Sequence, residues 1–253
     1  MKSLHPDFRV ATYNIHKGVQ GLGPRRRLEI HNLTHAVEQL DADLICLQEV
    51  RLGHRREAKH FAHWPAMGQA EFLAPEGYVS VYRSNAVTRH GEHGNALLSR
   101  WPVLTHQHED MSDHRFEQRG VLHVEVLARG HSVHVLVVHL GLLPASRRRQ
   151  LDQLARFIER EVPREARLVV AGDFNDWGER SARTLASIGM QPGCLGLHAT
   201  FPSRLPLVQL DHVFVRGLTA LGAFAPRGRI WGRMSDHLPL IADFSFDGDS
   251  VKG

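Results

Sequence analysis

The chain has 253 residues, of which 42% are hydrophobic and 23% are charged, and this composition excludes a disordered or fibrous protein. No apolar run approaches the roughly 20 residues of a membrane-spanning helix, and residues 1–10 lack the apolar core of a secretion signal, so we expect a cytoplasmic protein without a transmembrane segment. The net charge of +4 weakly favours a polyanionic partner, such as a nucleic acid or a phospholipid surface.

The first half of the chain is predicted to contain strands with one helix among them. Residues 26–40 are predicted to be helical because Leu33, Ala36, Val37 and Leu40 repeat at helical spacing. Continuous or alternating apolar residues predict the strands. These are at 8–13, 43–49, 78–83, 95–99 and 120–127.

The second half alternates strands with two helices. A strand at 131–139 ends in a continuous apolar run, and residues 145–161 are predicted to form a helix that begins near Pro144. Further strands are predicted at 167–174, 208–215 and 238–246, with a helix at 179–188. No repeat or linker divides the chain, so we expect a single domain over 1–253 with its core at about 8–246. Strands that are apolar on both faces need cover on both sides, which indicates an α/β fold of two packed mixed sheets with helices outside.

Polar side chains stand at the ends of most of these predicted strands. If the strands lie side by side, their ends meet at one rim, where carboxylates need a cation or a hydrogen-bonding partner. A single polar residue at a strand end can equally mark the beginning of a solvated loop. The whole set favours a metal and phosphate site. Its members are Asn14, Glu49, His139, Asp173, Asn175, Asp211, His212, Asp236 and His237.

Six short segments around these residues resemble, in the same order, the motifs of the endonuclease/exonuclease/phosphatase superfamily. That superfamily includes proteins with the fold of deoxyribonuclease, exonuclease III and sphingomyelinase, and the chain looks closest to its small bacterial members. The resemblance implies a four-layered α/β sandwich, in which two mixed β-sheets are flanked by helices. The segments are Thr12-Tyr13-Asn14, Leu47-Gln48-Glu49-Val50, Gly94 to Arg100, Gly172-Asp173-Phe174-Asn175, Leu210-Asp211-His212 and Ser235 to Pro239.

The resemblance also implies roles for the residues at the rim. Glu49 and Asp236 would be oxygen ligands of Mg²⁺ or Mn²⁺, with Asn14 beside the metal and the phosphate. Asp173 would deprotonate the attacking water, while Asn175 donates to a phosphate oxygen.

Four further residues are assigned with these. His237 would contact the scissile phosphate and would be oriented and kept charged by Asp211, so replacing Asp211 is predicted to cost rate and not folding. His139 would bind the phosphate, and Arg119 would bind it if its guanidinium faces the rim. The chain carries His16 where many members have Asp or Asn, which puts a second metal contact there in doubt.

The substrate is less defined than the reaction. His139 and the short segment between Pro202 and Asp211 argue against an abasic-site endonuclease. The leading hypothesis is therefore a metal-dependent phosphodiesterase, active on nucleic acid and monomeric. The alternatives are an enzyme for a phospholipid headgroup or a soluble phosphomonoester, and a non-catalytic binding module on the same fold.

Overall fold

The computed structural model describes residues 6–21, 23–194 and 196–246, which form fourteen strands and six α-helices. The strands are β1 (Phe8–Asn14), β2 (Val19–Gln20), β3 (Arg27–Leu28), β4 (Leu44–Val50), β5 (Val79–Thr88), β6 (Gly91–Ser99), β7 (Val103–Asp110), β8 (Gly120–Ala128), β9 (His131–His139), β10 (Arg167–Asp173), β11 (Gln191–Pro192), β12 (Asp211–Arg216), β13 (Leu218–Phe224) and β14 (Leu240–Phe246). The helices are α1 (Ile30–Gln39), α2 (Arg55–His60), α3 (Gln69–Leu73), α4 (Pro144–Glu161), α5 (Arg180–Ala186) and α6 (Trp231–Met234).

The first sheet has six strands in the order β13-β14-β1-β4-β6-β5. At its centre β1 runs parallel to β4 and antiparallel to β14. The register sets Asn14 opposite Gln48, so the last residue of β1 is level with the residue before Glu49. The chain enters β14 at this same edge, two residues after Leu238 and shortly after Asp236.

The second sheet also has six strands, in the order β11-β12-β10-β9-β8-β7. Strand β10 is parallel to β9 and antiparallel to β12. In this register Asp173, the last residue of β10, pairs with His139 on one side and with Asp211 on the other. Backbone hydrogen bonding therefore brings three titratable residues, far apart in sequence, into one row.

Burial separates the molecule into four layers. The inner faces of the two sheets form one apolar cluster that includes Val10, Leu44, Val135 and Val169. Helix α1 packs against the outer face of the first sheet, in a cluster that includes Leu33 and Ile45, while α4 packs on the second sheet. This architecture confirms the predicted α/β sandwich of two mixed sheets. No helix in the described residues is long and apolar enough to cross a membrane.

Several element boundaries differ from the predicted ones. Helix α1 begins at Ile30, because Arg27–Leu28 pairs with Val19–Gln20 as a two-stranded ladder. Strand β14 begins at Leu240, because the backbone N–H of Leu238 donates to the carbonyl of Thr200 and not to a neighbouring strand. Strands β2, β3, β7, β11 and β13, helices α2, α3 and α6 and the part of the β5–β6 hairpin at 84–94 were not predicted.

Candidate active site

Asp173 is the central residue of the candidate site. Its side chain is almost fully buried, and its two oxygens accept from different partners. The backbone N–H of Asn175 donates to Oδ1 at 2.9 Å, and Asn14 Nδ2 donates to Oδ2 at 3.1 Å. Burial, reinforced by the nearby Asp211, raises the pKa of Asp173 to about 7. A carboxyl group with this pKa is suited to accept a proton near neutrality.

His237 joins Asp173 to Asp211. Its Nδ1 lies 2.8 Å from Asp211 Oδ2, and its Nε2 lies 3.6 Å from Asp173 Oδ2. Burial alone lowers the pKa of His237, but Asp211 and Asp173 outweigh it and raise this pKa to about 10. The ring is therefore an imidazolium whose Nδ1–H donates to Asp211, with Nε2–H facing the base.

Asp173, Asp211 and His237 bring one ligand atom each within 4.8 Å of one another. Such a cluster could hold a metal ion. However, the imidazolium already offsets the charge of one of the two carboxylates and uses Nδ1 in a short hydrogen bond. A protonated nitrogen has no lone pair for a metal. We therefore interpret the cluster as a hydrogen-bonded relay.

His139 approaches Asp173 from the other neighbouring strand. Its Nε2 lies 3.5 Å from Asp173 Oδ2, and its ring is 7% exposed. Burial and the positive charge of Arg119 hold the pKa of His139 well below its usual value. The two histidines beside Asp173 thus have opposite charge states, His237 charged and His139 neutral.

Arg119 and Asn175 are held by the loop that follows β9. Arg119 Nε and Asn175 Nδ2 both donate to the carbonyl of Leu140, at 3.3 and 2.9 Å. Arg119 also pairs with Glu117 at 3.3 Å. Both side chains stand at the predicted rim, and their roles toward phosphate stay predictions.

Glu49 and Asp236 lie on the first sheet's side of the site. Asp236 Oδ2 is 3.2 Å from His16 Nδ1, and Glu49 Oε2 is 4.0 Å from the same atom. Lys17 Nζ pairs with Glu49, whose oxygen Oε1 accepts from Asn14. Burial would raise the pKa of Glu49, but the ion pair with Lys17 outweighs it and lowers this pKa far below its usual range.

The donor set fits a hard divalent cation. The Glu49 and Asp236 carboxylates both approach His16 Nδ1, at 4.0 and 3.2 Å, and the Glu49 carboxylate is held ionised, as an oxygen ligand of Mg²⁺ or Mn²⁺ requires. Glu49 also has a left-handed backbone conformation, with φ of 56°, which aims its side chain out of the regular strand pattern. His16 is drawn into the site by the same negative charge.

Sequence reasoning missed Lys17 and Asn95. Asn95 Nδ2, on the first sheet, donates to the carbonyls of Gly120 and Val137 on the second, both at 3.0 Å. It holds the sheets together below the site. Its place in the Gly94 to Arg100 segment was a signal of this, whereas nothing in sequence distinguishes Lys17, which depends on φ of 61° at that residue.

The edge that carries the candidate site also carries most of the large hydrophobic side chains that are exposed among the described residues. The chain leaves β9 and β10 and enters β8, β12 and β14 at this edge. Ten of the fifteen large hydrophobic side chains exposed among the described residues belong to segments there. They are Leu52, Val87, Phe116, Leu142, Leu143, Trp177, Leu197, Leu205, Leu207 and Ile230.

Comparisons with known proteins agree with this geometry. The model of the "Endonuclease/Exonuclease/phosphatase family" matches residues 11–237, which include every residue placed in the site. The "Uncharacterized protein YbhP" of Escherichia coli is 38% identical over 244 residues, which cover 93% of this chain and 95% of that protein.

Solved structures show the same fold at low sequence identity. An endonuclease/exonuclease/phosphatase from Bacteroides vulgatus has a TM-score of 0.73 at 18% identity, covering 95% of this chain and 99% of that one. The mannosyl-6-phosphatase of Bacteroides thetaiotaomicron has a TM-score of 0.68 at 17% identity, covering 94% and 100%. TDP2 of D. rerio, complexed with a single-strand DNA product, has a TM-score of 0.65 at 16% identity, covering 94% and 98%.

Proposed function

Because the chain belongs to the endonuclease/exonuclease/phosphatase family, we propose that it is a divalent-metal-dependent hydrolase of phosphodiester bonds. The single observation that carries this proposal is the environment of Asp173. A buried carboxyl group with a raised pKa lies between a neutral and a charged histidine. Strongly shifted pKa values of this kind cluster at catalytic sites.

Glu49 and Asp236 would hold the metal ion, with Asn14 beside them. When bound, Mg²⁺ or Mn²⁺ supplies positive charge that stabilises the phosphoryl oxygens of the transition state. His16 and Lys17, which contact these carboxylates, would turn away or remain as partners of the same oxygens. Asn14 also donates to Asp173, so it couples the ligand carboxylates to the base.

The Asp173 carboxylate would act as general base in a single step. Its Oδ2 accepts a proton from water while the water oxygen attacks phosphorus and the ester bond on the opposite side breaks, which inverts the configuration at phosphorus. The leaving oxygen is protonated from solvent. Asn14 and the backbone of Asn175 fix the two carboxylate oxygens, so the base keeps its orientation.

The histidines would stabilise charge on the phosphoryl group. His237 donates from Nε2 to a non-bridging oxygen and keeps its proton throughout, because Asp211 stabilises the imidazolium. His139, being neutral, would donate from one ring nitrogen to a second oxygen. Arg119 and Asn175 are proposed as further donors to the phosphate.

Two substrates remain candidates, and different observations favour them. Nucleic acid is favoured by the net charge of +4. A phospholipid headgroup is favoured by the exposed hydrophobic side chains around the catalytic edge. The fold does not distinguish between these two substrates, because its structural relatives include a sugar phosphatase and a protein bound to DNA product.

The test is a parallel panel of substrates with Asp173→Asn as the diagnostic variant. We expect turnover with added Mg²⁺ or Mn²⁺ on bis(p-nitrophenyl) phosphate and on at least one of plasmid DNA, RNA and phospholipid vesicles. Asp173→Asn keeps the shape of the side chain and removes the base, so kcat/KM should fall by roughly 10²- to 10⁴-fold.

Asp152→Asn is the matched control, because Asp152 is an exposed carboxylate on α4, away from the site. It should retain wild-type turnover. Full activity of Asp173→Asn would refute the assigned base. A lack of turnover on every substrate, together with no binding of Mg²⁺ or Mn²⁺ by calorimetry, would favour a non-catalytic module instead.

A further inference from the structure

Two segments beside the catalytic groups form one continuous surface, which we call the arginine–leucine surface. They are residues 196–210 and 225–235. Ser203 connects them to the site, because its N–H donates to the carbonyl of Asp236 at 2.8 Å and its hydroxyl donates to the carbonyl of Ser235 at 2.6 Å. Arg204 Nε donates to the carbonyl of Gly232 at 3.3 Å, which closes the two segments together.

The surface carries four positive charges and no negative one. Arg204, Arg227, Arg229 and Arg233 are exposed, and neither segment contains Asp or Glu. None of the four forms an ion pair with a carboxylate of residues 6–21, 23–194 or 196–246. Their combined charge equals the net charge of the whole chain. By contrast, Arg119 is paired with Glu117, and Arg149 is paired with Asp113.

The four arginines surround a cavity of about 530 Å³, whose floor includes Pro206 and two glycines. This volume lies in the range of pockets that enclose a small organic group. The cavity opens beside the segment that carries Asp236 and His237. A group bound there would be held next to a phosphate at the catalytic site.

Aliphatic side chains project from the same segments. Leu197 is 78% exposed, and Leu205, Leu207 and Ile230 are each exposed by about two thirds. In the sequence, Leu205 and Leu207 flank Pro206, which lines the cavity. Exposure of leucine side chains to water is unfavourable, and their transfer into an apolar phase lowers the free energy.

We propose that the arginine–leucine surface docks the protein on a membrane that contains anionic phospholipid. Unpaired arginines meet the anionic headgroups, and the leucines enter the interface below them. A nucleic-acid surface would combine the arginines with aromatic stacking groups, whereas the four large hydrophobic side chains exposed on this surface are all aliphatic. This proposal goes beyond the phosphodiesterase chemistry and does not depend on it.

Sedimentation with lipid vesicles tests the proposal. The full chain is mixed, without added divalent metal, with vesicles of phosphatidylcholine alone or of phosphatidylcholine with phosphatidylglycerol. We expect it to sediment only with the anionic vesicles. The double variant Arg227→Gln/Arg229→Gln should bind them roughly thirtyfold more weakly, at about fivefold for each arginine. Leu205→Ser/Leu207→Ser should weaken binding by at least about tenfold.

Matched controls lie at the opposite edge of the sheets. Leu104→Ser/Leu127→Ser replaces two exposed leucines of β7 and β8, and Arg164→Gln replaces an exposed arginine before β10. Both should bind anionic vesicles like the wild type. Melting temperatures of all variants establish that they are folded, so a loss of binding is not a loss of structure.

Three results would overturn the proposal. The first is equal binding to neutral and anionic vesicles, or none to either. The second is a loss of binding in the control variants as large as in the surface variants. The third is that the surface variants keep vesicle binding but lose binding to a DNA oligonucleotide or lose a dimer in solution. Because no turnover is measured, failure here leaves the proposed hydrolysis untouched.

Discussion

At the scale of single residues, the contacts of the Asp211 side chain are those of an ion pair with His237. It is fully buried, and His237 Nδ1 is the partner of Oδ2. Among the described residues, Oδ1 has no hydrogen-bond partner. The backbone N–H of Asp211 donates instead to Thr200 Oγ1, at 3.4 Å. The carboxylate is therefore stabilised mainly by the imidazolium, and the two charges depend on each other.

We predict that Asp211→Asn lowers kcat by roughly 10²-fold or more while changing KM little. The amide keeps the shape of the side chain but removes the charge that keeps His237 protonated, so the imidazole loses the proton that would stabilise the phosphoryl oxygens. Steady-state kinetics on bis(p-nitrophenyl) phosphate measures the changes in kcat and KM separately. Asp243→Asn, on β14 and paired with Arg9, is the control. A wild-type kcat for Asp211→Asn would remove His237 from the mechanism.

Sequence predicted which residues meet at the rim better than it predicted how they are charged. Polar residues at strand ends identified Asn14, Asp173 and Asp211, because parallel and antiparallel neighbours bring such ends to one edge. The charged state of His237 was predicted from its pairing with Asp211, whereas the neutral state of His139 follows from its burial, which spacing in the sequence does not reveal. The contacts of His16 with Asp236 and Glu49 likewise depend on a left-handed turn after Asn14.

At the scale of secondary structure, the strands with continuous apolar runs were the most predictable. Strands β4, β9 and β10 were predicted to within a residue or two, because both of their faces are buried. Strand β7 was not predicted, since its outward side chains are polar and it lies at a sheet edge. Helices α2 and α6 are too short to show a helical period of apolar residues in the sequence. These helices and strand β7 depend on packing against the rest of the fold.

One feature inside the second sheet gives a prediction for stability. His123 on β8 and His134 on β9 are buried side by side, with Nε2 and Nδ1 at 2.9 Å. Gln107 Nε2 lies 3.0 Å from His123 Nδ1, so that nitrogen accepts and the ring is neutral. Burial, with the neighbouring His134, lowers the pKa of His123 to about 4.

We predict that acid destabilises the protein partly through this pair. Between pH 6.5 and about pH 4 the unfolded chain takes up a proton at His123 that the folded chain does not, so stability is complete above pH 6.5 and falls as pH falls. The loss reaches about 3 kcal/mol at the lower end. In urea unfolding across this range, His123→Gln should show a shallower pH dependence than the wild type. His63→Gln, an exposed site, should not, and equal slopes for all three would contradict the assignment.

At the scale of the whole molecule, the proposed site is divided between the sheets. Glu49, Asn14 and Asp236 come from the first sheet and the segment that enters it, whereas Asp173 and Asp211 come from the second. Side-chain contacts that cross the division within the site include Asn14 with Asp173 and His237 with both Asp211 and Asp173. Correct packing of the sandwich is therefore what aligns the base with the proposed metal ligands. The predicted fold class was confirmed because this packing follows from apolar runs that need cover on both faces.

We predict that a bound metal stabilises the folded chain, because the ligands come together only when the chain is folded. A metal that binds only the folded chain, at a free concentration of 100 times its Kd, adds about 2.7 kcal/mol to the free energy of unfolding. For a protein of this size, the melting temperature should rise by roughly 5–10 °C. Thermal melts after chelation, with and without added Mg²⁺ or Mn²⁺, measure the rise.

The variant Glu49→Gln should abolish the metal-induced rise, because the substitution removes a ligand charge. The control Glu159→Gln, at an exposed site on α4, should preserve the rise. Replacing Glu49 also removes its pair with Lys17, so the quantity to compare is the metal-induced rise and not the melting temperature itself. An unchanged rise in Glu49→Gln would place the metal elsewhere, with the buried cluster of Asp173, Asp211 and His237 as the next site to examine.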